Sequence, residues 1–386
     1  MATMSASTLD QLPSSAELTP EELAENKRYN HLELACDLAD KAIDLTFLAI
    51  MAFLVAPHIR GAMLHALPID TVRLVAYFLI TTILHAVVSF PLTYYSGHVV
   101  EHQFDLSKLT FAGWLGRYLK QLVLSMVFMS MMFVGLYWLI WIFEGWWWVV
   151  GAAAFFIVNV LIGQFLPVLV LPLFYKIERL NVPELAERIK RIAAGTGLSI
   201  EGVYRMDLSS ETVKVNALLA GIGRTRRVLL GDTAIEGFTP DEIEVILAHE
   251  VGHHVFGHTS KSMLISFFYS AAGFWICDRI VMAWARHFEP TVDYSTFPVF
   301  TLPLIMLVLW TFLLTLEPLV NILSRHFERQ CDQYALDRTG LKGAYLSAFR
   351  KLARLNKDDP APHPLEVFLF HSHPPISERL AMAERM

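Results

Sequence analysis

QLVLSMVFMSMMFVGLYWLIWIF, residues 121–143, contains no Asp, Glu, Lys or Arg. A helix needs about 20 mainly apolar residues to cross ~30 Å of hydrocarbon, and this stretch has that length with no charge to desolvate. Leu74–Tyr95 and Trp146–Phe174 are equally free of charge. Met263–Trp284 is broken only by Asp278 and Arg279, and Val299–Leu323 only by Glu317. A weaker block near Ile43–Met63 has Asp44, Pro57, His58 and Arg60 at its ends. Tyr94, Tyr95, Trp146–Trp148 and Trp284 stand at block ends, where amphipathic rings favour the membrane interface. About six transmembrane helices are therefore expected. Within them Asp278, Arg279, Glu317 and His85 either line a hydrated cavity or snorkel from span ends.

Composition agrees. Hydrophobic residues make up 54% of the 386-residue chain and charged residues 18%, against about 25% charged in a soluble protein. The net charge of −6 comes without a basic tract, so a nucleic-acid partner is not expected. Cys36, Cys277 and Cys331 are too few and too scattered for a disulfide framework or a CxxC metal site. Met1–Asn30 is polar and acidic and lacks the apolar core of a signal peptide. Within it a helix is expected to start at a capping-box sequence, Thr19-Pro20-Glu21-Glu22. The distribution of Lys and Arg over the short connections places both termini and the long polar segments in the cytoplasm.

The expected organisation is a polar extension over 1–40, transmembrane helices 1–4 over 41–175, a polar α+β segment over 176–262, helices 5 and 6 over 263–323, and a C-terminal helical segment over 324–386. Within the α+β segment, Pro183–Ala194 has helical periodicity. Ile200–Leu208, Val213–Leu219 and Arg226–Leu230 read as short strands, the last two joined through Gly221–Thr225 as a hairpin. Phe238-Thr239-Pro240-Asp241-Glu242-Ile243 then predicts a helix start, with Thr239 as N-cap, Pro240 as first helical residue and Glu242 closing a capping box.

That helix carries His249-Glu250-Val251-Gly252-His253, an HExxH motif. Residues four apart share one helical face, so both imidazoles can bind one Zn²⁺, while Glu250 can take a proton from a metal-bound water. A catalytic zinc needs a third protein ligand and an open fourth position. The offsets that would carry a third His after HExxH fall on Phe256 and Thr259, so a Glu on a later helix is required. Glu328 supplies it, just beyond the sixth span, while His253 lies just before the fifth. Those two spans form a hairpin that returns both groups to one membrane face. Asp332, one turn past Glu328, can accept a hydrogen bond from a ligand imidazole and fix its tautomer. Arg325, one turn before Glu328, is also expected beside the ligands. His254 and His258 are expected to pack or cap rather than bind metal, and Cys331 to be a small buried side chain.

These motifs resemble the M48 family of integral-membrane zinc metallopeptidases, in particular its Ste24 or CAAX prenyl protease 1 type. The resemblance rests on HEVGHHVFGH at His249–His258, SRHFERQCD at Ser324–Asp332, PLF at Pro172–Phe174, VNALLAG at Val215–Gly221, HPPISER at His373–Arg379 and VVEHQFDLS at Val99–Ser107. It implies a mainly α-helical polytopic membrane protein whose helices enclose a chamber, with a small α+β zinc-metallopeptidase domain of the gluzincin type. It further implies one Zn²⁺ per chain on His249, His253 and Glu328, with Glu250 as general base. His373 and Arg379 would stabilise the oxyanion near the scissile carbonyl, and Asn216 and Ala217 would form an edge strand that holds extended substrate. Arg329 and Cys331 depart from the aromatic residue and Ala usual there. The expected activity is endopeptidase cleavage of a protein or peptide, possibly lipidated, in contact with membrane lipid. Six spans rather than the seven of longer eukaryotic members favour a bacterial cytoplasmic membrane over the endoplasmic reticulum. Two other readings stay open at this stage: membrane-protein quality control of broad specificity, and a non-catalytic transporter or partner with structural zinc.

Overall fold

The computed structural model describes residues 16–221 and 226–386. The first fifteen residues of the expected extension, and 222–225 of the expected hairpin loop, lie outside the described residues. Five continuous helical stretches are long and apolar enough to cross a membrane. The first, α1 (Pro20–Ala66), starts at the expected capping box: Thr19 Oγ1 accepts from the Glu22 N–H at 3.2 Å, and the Glu22 carboxylate accepts from the Thr19 N–H at 2.8 Å. Residues 20–40 of the expected extension are therefore the first turns of the same helix. A π-helical segment, Met51–Val55, precedes Pro57. Pro57 has no N–H to donate to the preceding turn, and local widening of the helix absorbs that loss.

The second stretch is α2 (Asp70–Gln103), and the third runs over Phe111–Phe165. A 3₁₀ turn at Glu144–Trp146, with Glu144 at a φ of 49°, divides the third into α3 (Phe111–Phe143) and α4 (Trp147–Phe165). The chain reverses there: Lys120 near the start of α3 donates to the Leu173 carbonyl at 3.0 Å, and Arg117 lies over the Phe174 ring. The apolar blocks at 121–143 and 146–174 are thus two antiparallel passes, in keeping with the expected helices.

The α+β unit follows. It comprises β1 (Ile177–Arg179), α5 (Pro183–Ala193), β2 (Gly202–Met206), β3 (Ala217–Ala220), β4 (Arg227–Gly231), the short α6 (Asp232–Gly237) and α7 (Pro240–Val255). The sheet order is β1-β2-β4-β3, with β2 and β4 parallel and the outer pairs antiparallel. The β3–β4 pair is the expected hairpin, and β3 is an edge strand. Three-residue β1 was not anticipated, because three residues carry no legible alternation.

Two long helices then cross back and forth: α8 (His258–Phe288) and α9 (Leu302–Thr339). The boundaries expected at 40, 262 and 323 all fall inside continuous helices. The sixth span and the segment carrying Glu328 are one rod of 38 residues, which couples the membrane region rigidly to the site. The chain ends in α10 (Lys342–Leu355), α11 (Pro364–Phe370) and α12 (Ile376–Arg385).

Three apolar clusters form among the described residues. One joins Tyr77, Phe133, Tyr137, Trp147 and Leu302 among the membrane helices; a second joins Ile189, Val228, Phe238, Leu247, Ala335 and Phe349 around α7; a small third joins Tyr29, Val100, Phe104 and Leu106. The charges within spans have named partners. Asp278 is 4% exposed, pairs with Arg279 and accepts from Trp147 Nε1 at 2.7 Å and Tyr294 Oη at 3.2 Å. Glu317 pairs with Lys41 at 3.2 Å, and His85 pairs with Asp44 at 2.7 Å on a cavity wall.

Candidate metal centre

α7 is held at its start by the predicted capping box, with the Glu242 N–H reaching Thr239 Oγ1 at 3.3 Å and the Thr239 N–H reaching the Glu242 carboxylate at 2.7 Å. Glu242 is itself buried and pairs with Lys351 of α10 at 2.8 Å. At the other end, Gly252 allows α7 and α9 to touch. A Cβ at Gly252 would lie 3.1 Å from Cys331 Cα, 3.2 Å from its Sγ and 3.3 Å from its Cβ. Side chains larger than hydrogen at this crossing would hold the HExxH helix away from Glu328.

The ligand candidates converge. His249 Nε2 lies 3.1 Å from Glu328 Oε2, and His253 Nε2 lies 3.3 Å from Glu328 Oε1. Donors at ~2.0–2.1 Å from a tetrahedral ion stand about 3.3–3.4 Å apart, so these spacings fit one ion shared by the three residues. Glu328 is 4% exposed, yet its Oε2 is a buried oxygen with no hydrogen-bond partner among the described residues. An orphaned buried carboxylate oxygen is costly, and a cation at the centre of the cluster would relieve it. Cys331 Sγ also falls with His249 and His253 in a group whose donor atoms lie within 4.8 Å of one another. The thiol is fully buried against Gly252, in the packing role expected for it, while the Glu328 oxygens lie 3.1 and 3.3 Å from the two imidazoles.

The far nitrogens of both imidazoles are fixed. His249 Nδ1 lies 2.9 Å from Asp332 Oδ1, the contact expected for Asp332. It assigns the proton to Nδ1 and leaves Nε2 free for a metal. Burial alone would pull the His249 imidazole down, but Asp332 and Glu328 push it up to about 9 in the metal-free protein. His253 Nδ1 lies 3.2 Å from His258 Nδ1, and His258 Nε2 lies 2.9 Å from Gln330 Oε1. Read as a chain, His253 donates to His258 and His258 donates to Gln330. His258 is also stacked on Phe327, with ring centroids 4.0 Å apart. It packs, as expected, but against a ligand. Sequence spacing paired it instead with His254, because Gly257, at a φ of 64°, ends α7 and turns His258 back toward His253.

Glu250 is half-buried, and no hydrogen bond or ion pair holds its carboxylate among the described residues. It is therefore free to serve a water or a substrate proton. His373 is exposed, with Nε2 3.6 Å from Glu328 Oε1, so it borders the open side of the cluster. Arg379 differs from the expectation. It is buried, its Nε and Nη2 reach the two Asp332 oxygens at 2.9 and 2.5 Å, and its guanidinium lies 3.9 Å from the centre of the Phe349 ring. Its Nη2 also lies 3.4 Å from His249 Nδ1 and 3.9 Å from Glu328 Oε2, so the guanidinium stands against Asp332 and two of the proposed ligands. Arg325 turns instead to the C-terminal segment. It donates to the carbonyls of Val367 (2.7 Å) and His371 and so anchors the segment that leads to His373. Ala217 opens edge strand β3, and the Asn216 carbonyl, just before it, accepts from the Gly231 N–H at 2.9 Å. The other edge of β3 pairs with no strand among the described residues.

Residues 179–386 match the family model of Peptidase family M48, and residues 5–176 match one described as CAAX prenyl protease N-terminal, five membrane helices. Before the sheet, the described residues of this chain form four long helices, α1 to α4. The chain is 27% identical over 382 residues to a protein of Bacillus subtilis named uncharacterized metalloprotease YhfN, covering 95% of this chain and 87% of that one. It is 29% identical to CAAX prenyl protease 1 of Saccharomyces cerevisiae, covering 77% of this chain and 69% of that one. The crystal structure of S. mikatae Ste24p superposes with a TM-score of 0.82 at 23% identity, covering 97% and 92% of the two chains.

Proposed function

The chain belongs to peptidase family M48 and is a multi-pass membrane metalloprotease of the Ste24 type, and from that premise we propose that it is an endopeptidase using one zinc ion on His249, His253 and Glu328. The observation that supports this ligand set is the approach of both Nε2 atoms to Glu328 at 3.1 and 3.3 Å, with no hydrogen bond to Oε2 among the described residues. Three protein ligands leave a fourth position, the arrangement of a catalytic rather than a structural zinc. When bound, zinc would polarise the scissile carbonyl and lower the pKa of a water.

Glu250 accepts the proton of the attacking water and passes it to the leaving amine. His373, on the open side, donates to the oxygen that becomes negative. Arg379 acts through others: it holds Asp332, and Asp332 holds His249 in the tautomer that leaves Nε2 for the metal. The unpaired edge of β3, beginning at Ala217 after Asn216, offers backbone groups to a substrate lying as an added strand. The substrate is a protein or peptide tail. The named activity of the yeast relative supports a C-terminal, lipid-modified tail in particular. Cleavage takes place on the cytoplasmic side, in a bacterial cytoplasmic membrane, as the resemblance to the B. subtilis protein over almost the whole chain supports.

Glu250→Gln tests the assignment. It removes the base and leaves the ligands, so the variant is expected to keep one zinc per chain by elemental analysis and to lose at least about a hundredfold in peptide cleavage. Wild-type turnover by a zinc-loaded Glu250→Gln protein would overturn the mechanism.

A further inference from the structure

The ladder between β3 and β4 determines which backbone groups of β3 face its free edge. The Gly231 N–H donates to the Asn216 carbonyl at 2.9 Å, so 216 and 231 form a hydrogen-bonded antiparallel pair. Such pairs alternate along a ladder. With the register Ala217↔Leu230 to Ala220↔Arg227, Leu218 and Ala220 turn toward β4, and the N–H and C=O groups of Ala217 and Leu219 are left on the free edge. Two residues back, Val215 has the same phase, but its N–H is already taken. Asn356, just past α10, accepts it on Oδ1 at 3.0 Å. The free edge is thus closed at Val215 and open from Ala217 onward.

Asn356 is itself held by α1. Lys357 beside it sits at a φ of 58°, a conformation with a steric cost for an L side chain, and α1 ties that turn down. Asn30 Nδ2 donates to the Lys357 carbonyl at 2.6 Å, and Asn26 Nδ2 donates to the Ala353 and Asp358 carbonyls at 3.0 and 2.9 Å. A second hold is Lys214, whose ammonium donates to Tyr29 Oη of α1 at 2.9 Å and to the Glu101 carboxylate of α2 at 3.1 Å. Glu101 lies in the VVEHQFDLS stretch, whose Leu106 carbonyl also accepts from the Val213 N–H at 3.2 Å and from Thr212 Oγ1 at 2.7 Å. Residues 212–215 are therefore tied one after another to the connection after α2, to α1 and α2, and to the end of α10. We propose that Asn356 and Lys214 are positioning residues of the peptidase: they order the lead-in to β3 before a substrate arrives, so that the free groups of Ala217 and Leu219 can take an extended peptide. The proposal rests on the reading of β3 as the edge to which substrate adds. Main-chain pairing is strongest on an edge that needs no ordering of its own. No hydrogen bond or ion pair joins either residue to His249, His253 or Glu328 among the described residues, so both act on substrate capture and not on the chemical step.

The test uses the zinc-loaded full chain and a fluorogenic peptide, together with analogues of that peptide each N-methylated at one amide. In the wild type, methylation of the amides that pair with β3 should raise KM. Asn356→Ala and Lys214→Met should each raise KM for the unmodified peptide about tenfold, the equivalent of leaving roughly one residue's backbone to be ordered on binding, with kcat and zinc content unchanged. The Lys214 side chain is 34% exposed, so Lys214→Met carries the test even where Asn356→Ala fails to fold. The methylations that harm the wild type should cost the variants at least about threefold less, because positioning residue and paired amide act on one contact. An unchanged KM in both variants, or equal methylation costs in variant and wild type, would overturn the proposal and leave strand addition standing. A wild type indifferent to every methylation would refute strand addition and this proposal with it, whereas the loss in Glu250→Gln tests the peptidase reading separately. A fall in kcat or zinc content that accompanies the rise in KM would show a role in the fold alone and would likewise overturn it.

Discussion

Gly252→Ala adds a single carbon at the crossing of α7 and α9. In the native structure that carbon would lie 3.1 Å from Cys331 Cα, 3.2 Å from Sγ and 3.3 Å from Cβ. Optimal carbon contacts are ~3.5–4.0 Å, so the helices must part by about half an ångström. A thiol could rotate aside, but a Cα cannot. Overpacking of this kind costs about 1–3 kcal/mol, while Gly to Ala inside a helix returns about 1 kcal/mol of propensity. Stability therefore falls by no more than about 2 kcal/mol, and the protein folds. The site suffers more. Metal–ligand distances tolerate about 0.2 Å, and displacement of a reacting group by ~1 Å can cost about a hundredfold in rate. Zinc affinity, measured by competition with a chromogenic chelator, should fall at least tenfold, and kcat/KM should fall with it. Gly116→Ala is the control, since a Cβ there has open space; it should leave both unchanged. A Gly252→Ala protein that binds zinc and cleaves like the wild type would refute the close-contact argument.

Three further outcomes are expected. Asp332→Asn removes the charge that Arg379 neutralises and strands a buried guanidinium, so unfolding should be easier by about 3–5 kcal/mol in denaturant titration, with zinc affinity lower by about 10–100-fold. His258→Ala deprives His253 of its Nδ1 partner and should cost about tenfold or more in zinc affinity without comparable loss of stability; unchanged affinity would show that the His253–His258–Gln330 chain does nothing for the ligand. In the metal-free protein His249 carries a proton up to about pH 9, and zinc must displace it. Affinity should therefore rise with pH toward 9 and level off above, with a proton released on binding that calorimetry in two buffers detects; binding without proton release at pH 7 would contradict this.

The parts of this architecture legible in the sequence were those with local periodicity. The HExxH ligands share one face of a helix whose start Thr239, Pro240 and Glu242 announce, and Glu328 was found because it continues the sixth span. Groups positioned by long-range packing were harder. Arg379 was placed at the oxyanion by resemblance, but its position is set by Asp332 and Phe349, 47 and 30 residues away in sequence. His258 was paired with His254 because both sit on a helical count that Gly257 interrupts. The start of α1 was taken as an extension since hydropathy marks only the half of a helix that meets lipid, whereas its first turns answer polar partners such as Asp358 and Ala353 through Asn26.

The central claim is that zinc is held by two imidazoles and a carboxylate, with one position left for water. X-ray absorption spectroscopy of the zinc-loaded protein measures this directly. A shell of nitrogen and oxygen scatterers only, at ~2.0–2.2 Å, with two imidazole signatures, is expected. A sulfur scatterer at ~2.3 Å would place Cys331 on the metal in place of Glu328 and contradict it.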